Sequence, residues 1–482
     1  MTNDHKSPKT FTTQKSFNSS STSTLTHPWP KRLLLLLITL ITTLLFFQMQ
    51  SLHNPFTITS SSITWSLYNT YSSFATRSNP STASFDDRLR DSVTFLPLVD
   101  LRFAKTAMEG NTWFMSSIND TREPGESEHL RFPSAASHGR LLCMIARDKS
   151  DGAKNHYALA WPDALPIGAS VRKGLTFVSD TYYDYDNIWH GLSAVVPFVR
   201  WHARNRCAKP ARWVLFHWGE ARASMGPWVR ALMDATFGGE PNIETFNATG
   251  PTCFEDAVVF RHNEGSMSVP NRRAVYDMMR CRARSYCNID ERKADSPSSL
   301  DVTLFLRTGA RAFANESGVI RVFERECGKV EGCSVRVRRP NGLSFCEQVR
   351  LMGETDVLVS PHGAQLTNMF FMERNSSVME FFPKGWLEMA GVGQYVYHWI
   401  AGWSGMRHEG AWRDPNGVEC PKEMVGEPGK CFTFYKDQKI GFDEEHFGRW
   451  AERVLKRAKQ YKLDRMEGRV VEEGVAGCSC GS

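Results

Sequence analysis

In a chain of 482 residues, no cysteine precedes Cys143, no Lys or Arg falls between positions 48 and 76, and no segment repeats itself. The missing repeats exclude a solenoid or propeller. No Cys and His spacing fits a zinc ribbon or finger, and the net charge is only +6, partly owed to Lys6, Lys9, Lys15, Lys31 and Arg32, which face only Asp4. A structural zinc module and a nucleic-acid surface are therefore not expected. Charge is also missing from residues 33–49, an apolar run at the lower length limit for a membrane-spanning helix. No Ala-x-Ala follows it and a polar lead precedes it, which argues against a cleaved signal peptide. With Lys31 and Arg32 at its N-terminal end and no basic residue just beyond, the positive-inside rule leaves the N-terminus cytosolic. The expectation is a signal anchor at 33–49, short enough for the thinner early secretory membranes.

All 12 cysteines lie beyond that span, which suits a lumenal head with several disulfides. Cys478-Ser-Cys480 reads as an incidental pair or one disulfide end. Sequons at Asn119, Asn247, Asn315 and Asn375 are compatible with the same compartment. Residues 1–32 are polar and Ser/Thr-rich, a disordered cytosolic tail, and residues 50–135 lack sustained periodicity and read as a stem.

Length beyond the stem allows two domains of about 150 residues. In 136–290, short apolar runs at 141–146, 175–179, 213–217 and 257–260 read as buried strands, alternating with helical patterns at 191–202, 221–237 and 272–284. That alternation predicts a mostly parallel sheet. A polar, proline-containing linker follows at 291–300. In 301–442 the series repeats in kind: strands at 302–306, 334–337 and 356–360, and helices near 320–327 and 344–352. A helix at 443–465 and a tail at 466–482 complete the chain.

The most informative run is 355–383. A buried strand ends at Ser360, breaks at Pro361, turns through His362 and Gly363, and re-enters a helix carrying Gln365, Thr367 and Asn368. Backbone amides opening such a helix face outward unpaired and suit an anion, above all a diphosphate. After a polar interruption, Val378 to Phe382 reads as a second strand stopped by Pro383, which completes a βαβ unit.

Ser-Pro-His-Gly-Ala at 360–364, followed by Leu-Thr-Asn at 366–368 and Glu-Phe-Phe-Pro at 380–383, resembles glycosyltransferase family 61. The resemblance extends to Leu304 through Glu316, with Arg307 and Arg311, and to Asp437-Gln-Lys-Ile; it covers roughly residues 140–465 and is weaker in the first half. That family includes plant xylosyl- and arabinosyltransferases and is related to O-linked N-acetylglucosaminyltransferases of the animal secretory pathway. The resemblance implies an α/β protein of GT-B type, with two Rossmann-like domains facing a cleft. It also implies a Golgi type II membrane enzyme, its catalytic domain lumenal, that transfers xylose or arabinofuranose from a UDP-sugar to xylan or a glycoprotein glycan with inversion. N-acetylglucosamine transfer stays open, as do a membrane-anchored pseudoenzyme and a secreted structural wall protein. A homo- or hetero-oligomer with other transferases is compatible with the transferase expectation.

The donor nucleotide is expected against Arg307, Arg311, His362, Gly363, Ala364, Thr367, Asn368 and Glu380, the arginines serving as guanidinium forks for phosphate. For the acceptor-side base the candidates are His190, Asp186 and Glu220. His190 resembles a family position followed four residues later by Asp, and here that place holds Ala194. Asp184-Tyr185-Asp186 fits a metal-chelating Asp-x-Asp, which would bring manganese. The expectation is nevertheless transfer with no metal and no cofactor. Trp399, Trp403 and Trp412 are either core residues or flat surfaces for sugar rings.

Overall fold

The computed structural model describes residues 93–98, 101, 123–181, 185–247, 249–261, 267–289, 299–469 and 478, all within one compact unit, Ala83–Ser482. The expected tail at 1–32, the anchor at 33–49, most of the stem and the linker at 291–298 lie outside them. No helix among the described residues is long and apolar enough to cross a membrane.

Two sheets share a helical layer. The first contains β1 (Leu96–Pro97), β2 (Leu130–Phe132), β3 (Leu141–Ile145), β4 (His156–Ala160), β5 (Ser170–Asp180), β6 (Arg212–His217), β7 (Glu220–Arg222) and β8 (Thr252–Arg261), in the order β1-β4-β3-β8-β5-β6-β7 with β2 also on β8. Only β8, β5 and β6 run parallel; the flanking pairs are antiparallel. The sheet is therefore mixed where the sequence pattern suggested mostly parallel. The reason is local: only a single 3-10 turn, Gly152–Lys154, separates β3 from β4, and Trp218 and Gly219 both take positive φ, 53° and 81°, a two-residue turn that folds β7 back on β6. The same turn moves the following helix. The pattern places it at 221–237, but α2 starts at Pro227 (Pro227–Phe237), where proline suits the first turn.

Helix α1 (Ile188–Arg204) connects β5 to β6, and α3 (Val269–Tyr286) follows β8. The second sheet contains β9 (Leu300–Phe305), β10 (Cys333–Arg338), β11 (Val357–Pro361), β12 (Ser377–Phe382) and β13 (Arg407–Arg413), all parallel, in the order β10-β9-β11-β12-β13. Strand β11 is buried on both faces: Val357 and Val359 pack with α4 (Glu316–Cys327) and α8 (Glu444–Met466), whereas Leu358 joins the core shared with the first sheet. Helix α5 (Phe345–Gly353), α6 (Val396–Ser404) and α7 (Pro428–Asp437) complete this part.

The two parts are joined through buried groups. The Trp228 indole donates to Asn368 Oδ1 at 2.9 Å, Arg280 Nε to the Phe370 carbonyl at 2.7 Å, and Arg284 Nη2 to the Phe371 carbonyl at 2.8 Å. Arg280 and Arg374 share the carboxylate of Asp277. A disulfide between Cys287 and Cys346 links the end of α3 to α5, and another ties Cys478 to Cys281. Cys143–Cys253, Cys327–Cys333 and Cys420–Cys431 are also bonded.

Candidate donor and acceptor sites

In the second sheet the chain leaves β9 toward β10 on one side and passes from β11 to β12 on the other. The strand order thus reverses between β9 and β11, and a crevice opens at their carboxyl ends. Arg307 and Arg311 follow β9, and His362 and Gly363 follow β11. Sequence neighbours of two separate strands converge there because the topology brings their ends together.

The turn after β11 differs from expectation in one respect. Ala364–Phe371 is a 3-10 helix rather than an α-helix. Gln365 Nε2 donates to the Pro361 carbonyl at 2.8 Å, and Asn368 Nδ2 to the Gln365 carbonyl at 3.0 Å. Side chains thereby take acceptors that the backbone would otherwise use. The first helical bond runs from the Leu366 amide to the Gly363 carbonyl at 2.9 Å, so the Ala364 and Gln365 amides precede the ladder. A Cβ on Gly363 would collide with Nη1 of Arg307 and Oε1 of Gln365. Glycine here permits close approach of a guanidinium; its backbone is extended, with φ 161°.

The arginine loop is held from below. Arg311 adopts a left-handed φ of 58°, and its amide donates to the Gln438 carbonyl at 2.8 Å. Ala314 and Ile440 extend this pairing, with Ala314 N to Ile440 O at 2.7 Å and Ile440 N to Ala312 O at 2.9 Å. The Asp437-Gln-Lys-Ile segment is thus the support of the arginine loop. Arg311 lies over the Trp386 ring, 5.1 Å from its centroid, and Arg307 Nη1 sits 3.4 Å from the His362 carbonyl. Nε of each arginine is buried without a hydrogen-bond partner. Burial pushes both guanidinium pKa values down, and Arg307 beside it adds to the shift of Arg311, to about 10; both stay charged at neutral pH. In a cavity of about 290 Å³ beside α1, by contrast, Arg200 is held by Glu126 at 2.8 Å. Two half-buried cations with open donors beside helix-opening amides favour an anion.

His362 is buried, and its Nδ1 is 2.6 Å from Glu380 Oε1; Glu380 Oε2 is 2.8 Å from Nε2 of His408. Burial alone would raise the Glu380 pKa, but the hydrogen bonds from the two imidazoles outweigh it and hold the carboxyl below its usual range. Burial lowers the His362 pKa, and Arg311 and Arg307 oppose a further positive charge. A neutral His362 therefore donates from Nδ1 to the carboxylate and leaves Nε2 as an acceptor. Tyr397 closes the site, its ring centroid 5.0 Å from that of His362; burial and the Glu380 charge push its phenol up. His408, Tyr397 and Trp386 were not singled out from sequence. Thr367, Asn368 and Ala364 lie on the 3-10 helix, with Asn368 turned to Trp228.

Acceptor-side candidates are spread more widely. Asp186 is exposed and His190 half-buried, at the β5 to α1 connection where the strand order of the first sheet reverses between β8 and β5. Ala194 is fully buried one turn along α1. Glu220 lies apart on the edge hairpin, 3.1 Å from Arg222. Asp184, the other half of the Asp-x-Asp, is outside the described residues. Asn315 caps α4 through its side chain, accepting from the Gly318 amide at 2.9 Å.

The family profile named Glycosyltransferase 61 matches residues 177–379, from within β5 to within β12. That segment belongs to the glycosyltransferase 61 family. A xylan glycosyltransferase from Arabidopsis thaliana is 30% identical over 95 residues, which cover 20% of this chain and only 18% of the length of that relative. A solved oxidoreductase from Corynebacterium diphtheriae is 11% identical and covers 34% of this chain and 98% of its own, but a TM-score of 0.21 carries no argument about fold or function. The matched segment contains the β11 turn and both arginines, together with Asp186, His190 and Glu220, and ends one residue before Glu380.

Proposed function

We propose that the protein is an inverting glycosyltransferase of GT-B arrangement that uses a UDP-sugar. The two parts, 136–290 and 301–442, would form the acceptor and donor sides. The observation that carries the reading is the pair Arg307 and Arg311, cationic and half-buried, converging with the Gly363 turn at the strand-order reversal. In the reaction an acceptor hydroxyl attacks the anomeric carbon, the bond from that carbon to the diphosphate breaks, and UDP leaves with the electron pair. Arg307, Arg311 and the amides after Gly363 stabilise the departing charge. Asp186 or His190 takes the hydroxyl proton, with Glu220 third because of its distance along the fold.

Xylose is the favoured sugar and xylan the favoured acceptor, supported by the short similarity to a xylan glycosyltransferase. Arabinofuranose and N-acetylglucosamine are the next donors to test. Cationic side chains take the place of a divalent ion at the diphosphate, so transfer is expected to be metal-independent. The chain is expected to work as a single-pass type II protein of the Golgi membrane.

A second reading, a glycan-binding pseudoenzyme, is favoured by Ala194, which stands where the family resemblance calls for Asp. Incubating the full chain with UDP-xylose, UDP-arabinofuranose and UDP-N-acetylglucosamine, with xylan fragments or a glycoprotein glycan, and measuring UDP release separates the two. Release that needs an acceptor and survives EDTA supports the transferase. Bound UDP with no turnover across the panel supports the pseudoenzyme.

A further inference from the structure

Helix α6 carries two different surfaces. Its inner face holds Val396, Tyr397, Ile400, Ala401 and Ser404, with Tyr397 against His362. Tyr395, Trp399 and Trp403, spaced four residues apart along and just before the helix, occupy another face. Tyr395 and Trp399 are tilted, with centroids 6.2 Å apart at 33°, and Trp399 and Trp403 are stacked, 6.1 Å apart at 22°. The series continues onto the first part of the protein, where Tyr276 is 6.4 Å from Trp403 and the Arg272 guanidinium lies 4.5 Å from the Trp403 centroid. It therefore spans the seam between α6 and α3.

Core tryptophans behave differently. Trp412 is 6% exposed and packs edge-on against Phe447, whereas Tyr395 is 47% exposed and Trp399 and Trp403 are half-buried. Gly402, on the same outward side, would place a Cβ with no atom within 4 Å. His398, also outward, has its ring 5.1 Å from that of His408, which in turn bonds Glu380. Through His398 the same helix thus borders the His408 and Glu380 pair.

We propose that Tyr395, Trp399 and Trp403 form a platform for a linear chain of pyranose units, one ring of the acceptor over each aromatic ring. Flat apolar rings complement the C–H faces of pyranoses, and a near-regular repeat on the scale of one sugar unit selects an extended glycan over a globular partner. The Arg272 guanidinium over Trp403 marks the end of the platform at α3. Sugar hydroxyls remain at the edges of the rings and in water, so the platform needs no buried polar partners. This assignment rests on the transferase reading for its acceptor class, but its binding test does not.

The test titrates xylobiose through xylohexaose into the purified full chain, followed by tryptophan fluorescence and calorimetry, with UDP titrated into the same samples. Xylohexaose is expected to bind more tightly than xylobiose. Trp399→Ala should weaken xylohexaose binding by about tenfold, leave UDP affinity unchanged, and be largely rescued in Trp399→Phe. Tyr395→Ala, at a site exposed enough to spare the core, gives a second measure and should lose several-fold. Length-independent binding, or equal binding by wild type, Trp399→Ala and Tyr395→Ala, would overturn the platform. Loss of UDP binding with intact xylohexaose binding would instead count against the donor site alone.

Discussion

Nδ1 of His362 lies 2.6 Å from Oε1 of Glu380, and both side chains are buried. The carboxylate thereby fixes which imidazole nitrogen carries the proton, and His408 fixes the carboxylate in turn at 2.8 Å. The order of this candidate site thus depends on a residue two strands away in sequence from the His362 and Gly363 turn.

Replacing Glu380 with Ala should strand two buried imidazole donors. The expected loss is about 1–3 kcal/mol for each donor left without an acceptor. Thermal or urea unfolding of Glu380→Ala against wild type measures it. His408→Ala should cost less and, without touching His362, should still shift the pH profile of turnover.

Acid sensitivity follows from the same pair. The pKa of His362 is lower in the folded protein than its ordinary value, so the unfolded chain binds the extra proton first, and stability falls as pH drops below about 6.5. The pKa of Glu380 is also depressed, so its contribution is present above about 4.3 and is lost as pH falls further. Unfolding free energy measured from neutral to acid pH should decline in that order, and His362→Asn should remove the upper part of the decline.

Gly363→Ala should displace both the Arg307 guanidinium and the buried Gln365 amide, although the extended backbone itself stays unstrained. UDP affinity is expected to drop by about tenfold, with a loss of stability of about 1 kcal/mol from the disturbed Gln365 hydrogen bond. Calorimetry and thermal unfolding on the same preparation check both.

Cys287→Ser with Cys346→Ser removes the covalent tie between α3 and α5. The expected cost is about 2–4 kcal/mol. Denaturant unfolding of the double variant reads it.

Much of the second sheet was legible because its strands are continuous apolar runs bounded by Gly, Pro and polar turns, and Arg307, Arg311 and His362 follow from their places at strand ends. The first sheet was less legible. Its two-residue turn at Trp218 and Gly219 requires positive φ at a tryptophan, which no turn signal announces, and so β7 resembled the start of a helix. His408 and Tyr397 reach the site through the β12 to β13 pairing, whose register shifts between Val378 and Glu380, and through the inner face of α6. Neither relation is local in sequence. The left-handed Arg311 likewise depends on Gln438, far along the chain.

Calorimetric titration of UDP into the full chain, wild type against the double variant Arg307→Ala and Arg311→Ala, tests whether the nucleotide binds at the ends of β9 and β11. Saturable UDP binding by wild type, weakened at least a hundredfold in a double variant that still unfolds cooperatively, is the expected result, since each lost charge-assisted contact is worth about 1.5–3 kcal/mol. Equal UDP affinity in the two proteins would contradict a nucleotide site at the ends of β9 and β11.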